Sequence, residues 1–296
     1  MPFLGELSAL SAACLWAGTS LIFASVTAKI GSVQVNINRM IFAVFLVFLS
    51  IFILDIPIHL SHTQVLNLVL SAILGIVVGD TFLFKAFQQI GARISMLIMS
   101  LSPAISTILG YVFLQELLSL WAILGIIVTL SGIALVVLER TTPISSSSKI
   151  TKIGLLCAFL GAFGQGAGVV LAKKAFAEGP IHGLVATLIR ISAALIILLP
   201  AAIAARRYHN PIKVFGQNRR ILVLILIGSV FGTYLGITLS LIAIAYTKVG
   251  IASTLIATSP VVMLPIIRIV YKQELSGKAI IGACIAVSGV AMLFLT

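Results

Sequence analysis

Ser102–Gly132 reads SPAISTILGYVFLQELLSLWAILGIIVTLSG, and Ser259–Gly289 reads SPVVMLPIIRIVYKQELSGKAIIGACIAVSG. Both stretches set Ser-Pro inside an apolar run and follow it with Gln-Glu-Leu. Both close on two glycines seven apart, Gly125 with Gly132 and Gly282 with Gly289. Apart from a one-residue shift at Gln-Glu-Leu the offset is 157, about half of the 296 residues. A fixed offset of that size marks an internal duplication. Further landmarks extend it. Gly75 and Gly79 answer Gly232 and Gly236 at offset 157, Arg39 answers Arg190 at offset 151, and Gly5 and Gly154 hold matching places.

The solvent of this chain is lipid. Of its residues 60% are hydrophobic and 9% charged, too few charges to keep a soluble surface of this size wet. Apolar runs near or above 18 residues recur along the whole length, and about 20 residues cross a bilayer core of roughly 30 Å. The expected spans are 3–25, 34–54, 65–88, 94–114, 120–138, 153–173, 183–204, 221–245, 251–271 and 279–295. The first, which lacks the basic flank of a signal peptide, is read as a retained span. Residues 139–152, ERTTPISSSSKITK, form the one long polar break and read as a linker between a first repeat, 1–138, and a second, 153–296. The expected fold is an all-α membrane protein of ten transmembrane helices in two five-helix repeats. An odd number of spans per repeat makes the second copy enter from the opposite face. Such inverted repeats commonly bind substrate near the midplane between the halves.

Charge and cysteine narrow the class further. The net charge of +12 comes from lysines and arginines placed singly or in small groups between apolar runs, the flanking pattern of membrane helices rather than a nucleic-acid patch. Cys14, Cys157 and Cys284 lie in apolar runs without metal spacing and read as small apolar residues. No metal, cofactor or nucleic acid is implied. The expected partners are the bilayer, a small-molecule substrate and a proton as candidate coupling ion, in a monomer or homodimer.

Glycine and proline mark the packing. Gly75 with Gly79, Gly164 with Gly168 and Gly232 with Gly236 have the spacing that lets helix backbones approach closely. GAFGQGAG at 161–168 concentrates glycine in span six, so Gly161 and Gly164 suggest a bend or moving element. Pro103 and Pro260 each remove a backbone hydrogen bond in mid-span and are candidate helix breaks, with Pro265 adding another in span nine.

Ionisable groups inside a bilayer need a reason. Asp80 is the one carboxylate clearly at mid-span, and Arg39 sits on the adjacent antiparallel span. The two are expected to pair, either as a structural tie or as part of substrate or proton coupling. Arg190 has no matching carboxylate, because Ile237 stands in its repeat where Asp80 stands in the first. It either snorkels to the interface or offers a charge-assisted site for an anionic group. Lys85 lies near a span end and suits snorkelling. Glu6, Glu116 and Glu274 sit near helix termini, where a carboxylate is stabilising. Trp16 either lines the cavity or packs. Gln165, Tyr234, Tyr246, Thr254 and Thr258 are neutral polar candidates for substrate contact.

Taken in order, these features resemble the EamA-type members of the drug/metabolite transporter superfamily. The matching residues are Trp16 in span one, Arg39 opening span two, Gly79-Asp80 in span three and GARIS at 91–95. They continue with Ser-Pro in span four, Gln-Glu-Leu before span five and the closing Ser-Gly. The resemblance implies a ten-span exporter of metabolites or amino acids, with a cavity lined by spans one, three, four, six, eight and nine. Spans five and ten would be peripheral, the termini cytoplasmic and the membrane a prokaryotic plasma membrane. The second repeat departs from the pattern, with Gln165 in the place of Trp16 and Ile237 in that of Asp80. Lysine and arginine fall mostly at the odd-to-even connections, leaving Lys173, Lys174 and Lys248 on the face that carries both termini. The positive-inside rule thus puts the termini outside, against the resemblance.

Other classes fit less well. No HExxH pair or GxSxG elbow occurs, and no second mid-membrane carboxylate partners Asp80 for acid–base work, which argues against a polytopic membrane enzyme. A cationic-drug/proton antiporter would want a carboxylate deep in span one, where only the terminal Glu6 is found. No nucleotide-binding loop is present for direct ATP coupling.

Overall fold

The computed structural model describes residues 3–138, 151–270 and 275–295. The linker lies almost wholly outside these residues, as does Glu274. Ten helices among the described residues are long and apolar enough to cross a membrane: Leu4–Thr27, Ser32–Ile53, His62–Ile90, Ile94–Leu114, Leu120–Leu138, Lys152–Ala177, Gly183–Ala204, Arg219–Tyr246, Val249–Ile266 and Gly277–Phe294. They are spans one to ten, within a few residues of the expected bounds. Helices are the physical solution, because in hydrocarbon each backbone donor and acceptor must be satisfied within its own segment. Polar caps fix several entries. Ser61 and Gln64 form a capping box at span three, Thr151 accepts from Gly154 N at span six, Asn218 from Ile221 N at span eight, and Ser276 from Ala279 N at span ten.

The repeats exchange their first spans. Span one of the first repeat packs on spans eight and nine of the second, and span six packs on spans three and four. The exchange is symmetric at the level of single residues. A side chain at Gly5 would meet Thr247, and one at Gly154 would meet Ile90, which is 157 residues before Thr247. Two of the three expected glycine pairs face each other. A Cβ on Gly168 would lie 2.7 Å from Gly75 Cα, and one on Gly164 would lie 3.0 Å from Gly79 Cα. The third pair, Gly232 and Gly236, receives Thr19, Phe23 and Trp16 of span one instead.

Span six is an unbroken helix from Lys152 to Ala177, so no helix break falls at Gly161 or Gly164. Its glycines serve contact. Gly161 and Gly164 meet backbone of span three, and Gly166 meets Ser102 and Ile105 of span four. Spans four and nine do break, just ahead of each Ser-Pro. Helix ends at Met99 and restarts at Ser102, and in the second copy it ends at Ile256 and restarts at Ser259. Pro103 and Pro260 therefore fall in the first turn of a new helix, where the missing N–H has no intrahelical partner to lose. Pro265 makes no second break, since helix continues from Ser259 to Val270. The copies differ at the preceding turn. Helical backbone runs from Thr81 to Met99, whereas Thr247 and Lys248 are extended and open the equivalent turn.

Spans five and ten present their outer faces away from the rest of the protein, with Trp121, Ile127, Ile281 and Val287 exposed, and pack tightly on each other within. The glycines of the duplicated stretch make this contact. A Cβ on Gly132 would lie 2.6 Å from Gly282 O and 2.7 Å from Ala286 Cα. Gly132→Val should lower stability by about 1–3 kcal/mol, because the obstacle is backbone and cannot swing away. Thermal unfolding of the purified variant in detergent checks this, and an unchanged midpoint would show that the two spans do not need this approach.

Candidate functional site

The residues that bear charge inside the membrane come together from spans two, three and seven, and span six adds a neutral amide. Arg39 Nη2 donates to Asp80 Oδ2 in a salt bridge, and its Nε donates to Asn36 Oδ1 at 2.9 Å. Its guanidinium also lies 5.7 Å from the ring centroids of both Phe23 and Phe84, so its faces rest on aromatic surface. Gln165 Nε2 donates to the other Asp80 oxygen at 2.6 Å. The expected Arg39–Asp80 pair is thus present, and Gln165 of the second repeat joins it.

Arg190 does not snorkel. It is 5% exposed, and its Nη2 lies 3.0 Å from the place where a Gly75 side chain would begin. It is within electrostatic reach of Asp80, although the Asp80 oxygens bond Arg39 and Gln165. Its Nε is buried without a hydrogen-bond partner.

Backbone shape holds these groups in place. Ile73–Asp80 in span three and Ser229–Leu235 in span eight are π-helical, with wider turns than the flanking α-helix. Such segments are rare and recur at functional sites. In span eight the Gly232 carbonyl accepts from Trp16 Nε1 at 2.7 Å, so Trp16 packs on the Gly232–Gly236 surface and hydrogen-bonds its backbone. The matching position in span six is Gln165, which reaches Asp80 at the end of the other π segment. The same crossing thus carries an indole on a carbonyl in one half and an amide on a carboxylate in the other.

The remaining candidates divide. Tyr234 lies in the second π segment with its hydroxyl 2.9 Å from Ser50 Oγ. Tyr246 is 69% exposed at the end of span eight and is not part of the cluster. Thr254 and Thr258 are buried, but their hydroxyls donate to the carbonyls of Gly250 and Leu255 in their own span. A helix carbonyl within reach satisfies them locally. Lys85 is exposed and is not part of the cluster.

Polar ties bridge both ends of the bundle. On the face of the termini, Lys173 Nζ donates to the carbonyls of Ile244, Ala245 and Thr247 at 2.9, 3.3 and 3.1 Å, and lies 3.9 Å from Glu116. Glu116 accepts from Val249 N at 2.7 Å, so it serves the N-terminus of span nine rather than that of its own span five. Glu6 accepts from Thr247 Oγ1 at 2.6 Å. On the opposite face Tyr208 Oη donates to Asn38 Oδ1 at 2.9 Å. Gln34 both donates to the His209 carbonyl at 2.9 Å and accepts from its N–H at 2.8 Å. Burial pushes the Tyr208 phenol up, so it remains a donor at neutral pH. The sequence carried a signal for this second tie, Gln34 and Asn38 among the apolar residues that open span two, and both are buried.

The buried charged cluster lies at the interface between the two repeats, the place where inverted-repeat transporters hold substrate and coupling ions. The EamA-like transporter family matches residues 3–138 and 152–295. The chain belongs to that family. No curated protein matches it. A solved structure described as "Crystal structure of protein" is similar in fold, with a TM-score of 0.78 over 99% of this chain and 96% of that one at 15% identity. The EamA repeats account for the duplicated Ser-Pro stretch and for ten spans in an integral, multi-pass membrane protein. Asp80, Gln165 and Arg190 lie where those repeats interlock.

Proposed function

We propose that this EamA-family chain is a secondary transporter that moves small metabolites or amino acids out across a prokaryotic plasma membrane. The two inverted repeats alternate access to a site at Arg39, Asp80, Gln165 and Arg190. The observation that carries the reading is the burial of three ionisable groups from three spans at the seam between the repeats. Buried charge in a bilayer is expensive, and it marks substrate and ion pathways. The polar ties at Lys173 and Tyr208 would break in turn as each face opens. No cofactor and no chemical step are needed, and a proton is the candidate coupling ion.

A cationic-drug/proton antiporter is the weaker alternative. Its substrate would need a carboxylate, and Asp80 has both oxygens engaged by Arg39 and Gln165. Purified protein in proteoliposomes separates the readings through counterflow of radiolabelled amino acids, organic acids and a quaternary ammonium dye, with and without a proton gradient. Accumulation of an acid or amino acid, absent from protein-free vesicles and lost in Asp80→Asn, is expected. Movement of the dye alone would sink the metabolite reading.

A further inference from the structure

Arg39 and Arg190 hold equivalent places in the two repeats, yet their surroundings differ. Arg39 has a carboxylate, an amide and two aromatic faces. Arg190 is equally deep and has a buried Nε that donates to nothing. Two guanidinium groups and one carboxylate leave one positive charge over at the seam. No other described carboxylate neutralises it. Glu6 is bound at Thr247, Glu116 at Lys173 and Val249 N, and Glu178 at Asn67, while Asp55 is exposed in a connection. A buried cation is costly unless an anion pairs with it.

We propose that Arg190 is the receptor for the carboxylate of a small monovalent organic acid, which the guanidinium holds through its Nε edge as it seats over Gly75. The inference rests on the transport reading and narrows its substrate. A planar carboxylate matches the fork of a guanidinium, and a single negative charge cancels the surplus. A phosphate monoester, with about −1.5 to −2 charges, overcompensates. A substrate ammonium is not read, because the Asp80 oxygens are taken, so the amino group of an amino acid contributes little. Gly75 is required beneath the guanidinium, since any side chain there would meet Nη2 first.

The test is the thermal shift of the purified full-length protein in detergent with pyruvate, benzoate and phenylacetate, against their primary amides and against phosphate. It is run on the wild type, Arg190→Gln and Arg190→Lys. The acids should raise the wild-type midpoint while amides and phosphate leave it unmoved. The response should vanish in Arg190→Gln and need at least tenfold more acid in Arg190→Lys. Without ligand, Arg190→Gln should melt at or above the wild-type temperature, because it removes an unpaired buried charge; a merely structural arginine would lower it. Equal response to acid and amide, no response of the wild type, or a retained response in Arg190→Gln each overturns the proposal. Transport distinguishes the two failures. If wild type and Arg190→Gln move the same organic acid equally, the anion site falls and the transporter stands. If acids bind through Arg190 but nothing crosses the vesicle wall, the site stands and the transporter falls.

Discussion

Asp80→Asn is expected to destabilise the protein by about 3–5 kcal/mol and to abolish transport, the loss typical of breaking a buried ion pair from one side. The reason is the guanidinium left behind. Arg39 is 7% exposed and its charge is met by Asp80, so the amide leaves two buried arginines and no carboxylate. Asn keeps the shape of the side chain but offers one acceptor oxygen where Arg39 and Gln165 now use two, so a hydrogen bond is lost with the charge. A second substitution makes the cause testable. Adding Arg39→Gln removes the stranded charge, and the double variant should recover most of the lost stability, because replacing both members of a buried pair is close to neutral. Transport should stay lost in the double variant if the pair takes part in the cycle, and return with stability if it is only a tie. Chemical denaturation of the wild type, Asp80→Asn, Arg39→Gln and the double variant gives the coupling, and counterflow gives the function. Equal stability of wild type and Asp80→Asn would mean that the salt bridge does not hold spans two and three.

The fold was legible because its two strongest signals, apolar run length and the offset of 157, survive without any knowledge of contacts. The Arg39–Asp80 pair was legible for the same kind of reason, since two charges on neighbouring antiparallel spans at similar depth have few other places to go. What could not be read was which repeat receives which helix. Gly5 and Gly154 were visible as matching residues, but nothing in the linear order says that each packs on the other half. That exchange is what brings Gln165 to Asp80 and Trp16 to Gly232. The π segments were hidden because a widened turn has no composition of its own; ILGIVVGD and SVFGTYL read as ordinary apolar helix. Glycine density in span six also carried a contact that sequence does not show. Glycine weakens a helix in isolation, but here the lost side chains are replaced by the backbone of spans three and four. Thr254 and Thr258 donate to carbonyls of their own span, and sequence does not distinguish a hydroxyl so satisfied from one facing a cavity.

The same glycine-to-alanine change should have opposite signs at two positions, and a third glycine should separate stability from function. At Gly18 a Cβ meets nothing within 4 Å, so alanine should stabilise span one by about 0.5–1 kcal/mol through the smaller entropy lost on folding. At Gly168 a Cβ would lie 2.7 Å from Gly75 Cα, 2.8 Å from Gly75 N and 3.0 Å from Ser71 O. All three atoms are backbone, so spans three and six must move apart, and a loss of about 3 kcal/mol, the upper end for overpacking, is expected. That movement also draws Gln165 from Asp80, so transport should fall with stability. Gly75 faces the same crossing, but there the first atom a Cβ meets is Arg190 Nη2 at 3.0 Å, the far end of a flexible side chain, with Gly168 Cα at an ordinary 3.6 Å. Gly75→Ala should therefore fold nearly as well as the wild type and lose its response to organic acids, because the guanidinium is moved off its seat. Thermal melts of the three variants with and without benzoate read both effects. If Gly75→Ala loses stability as Gly168→Ala does, the glycine is there for helix packing alone; if it keeps both stability and the benzoate response, the seat under Arg190 has no part in holding an anion.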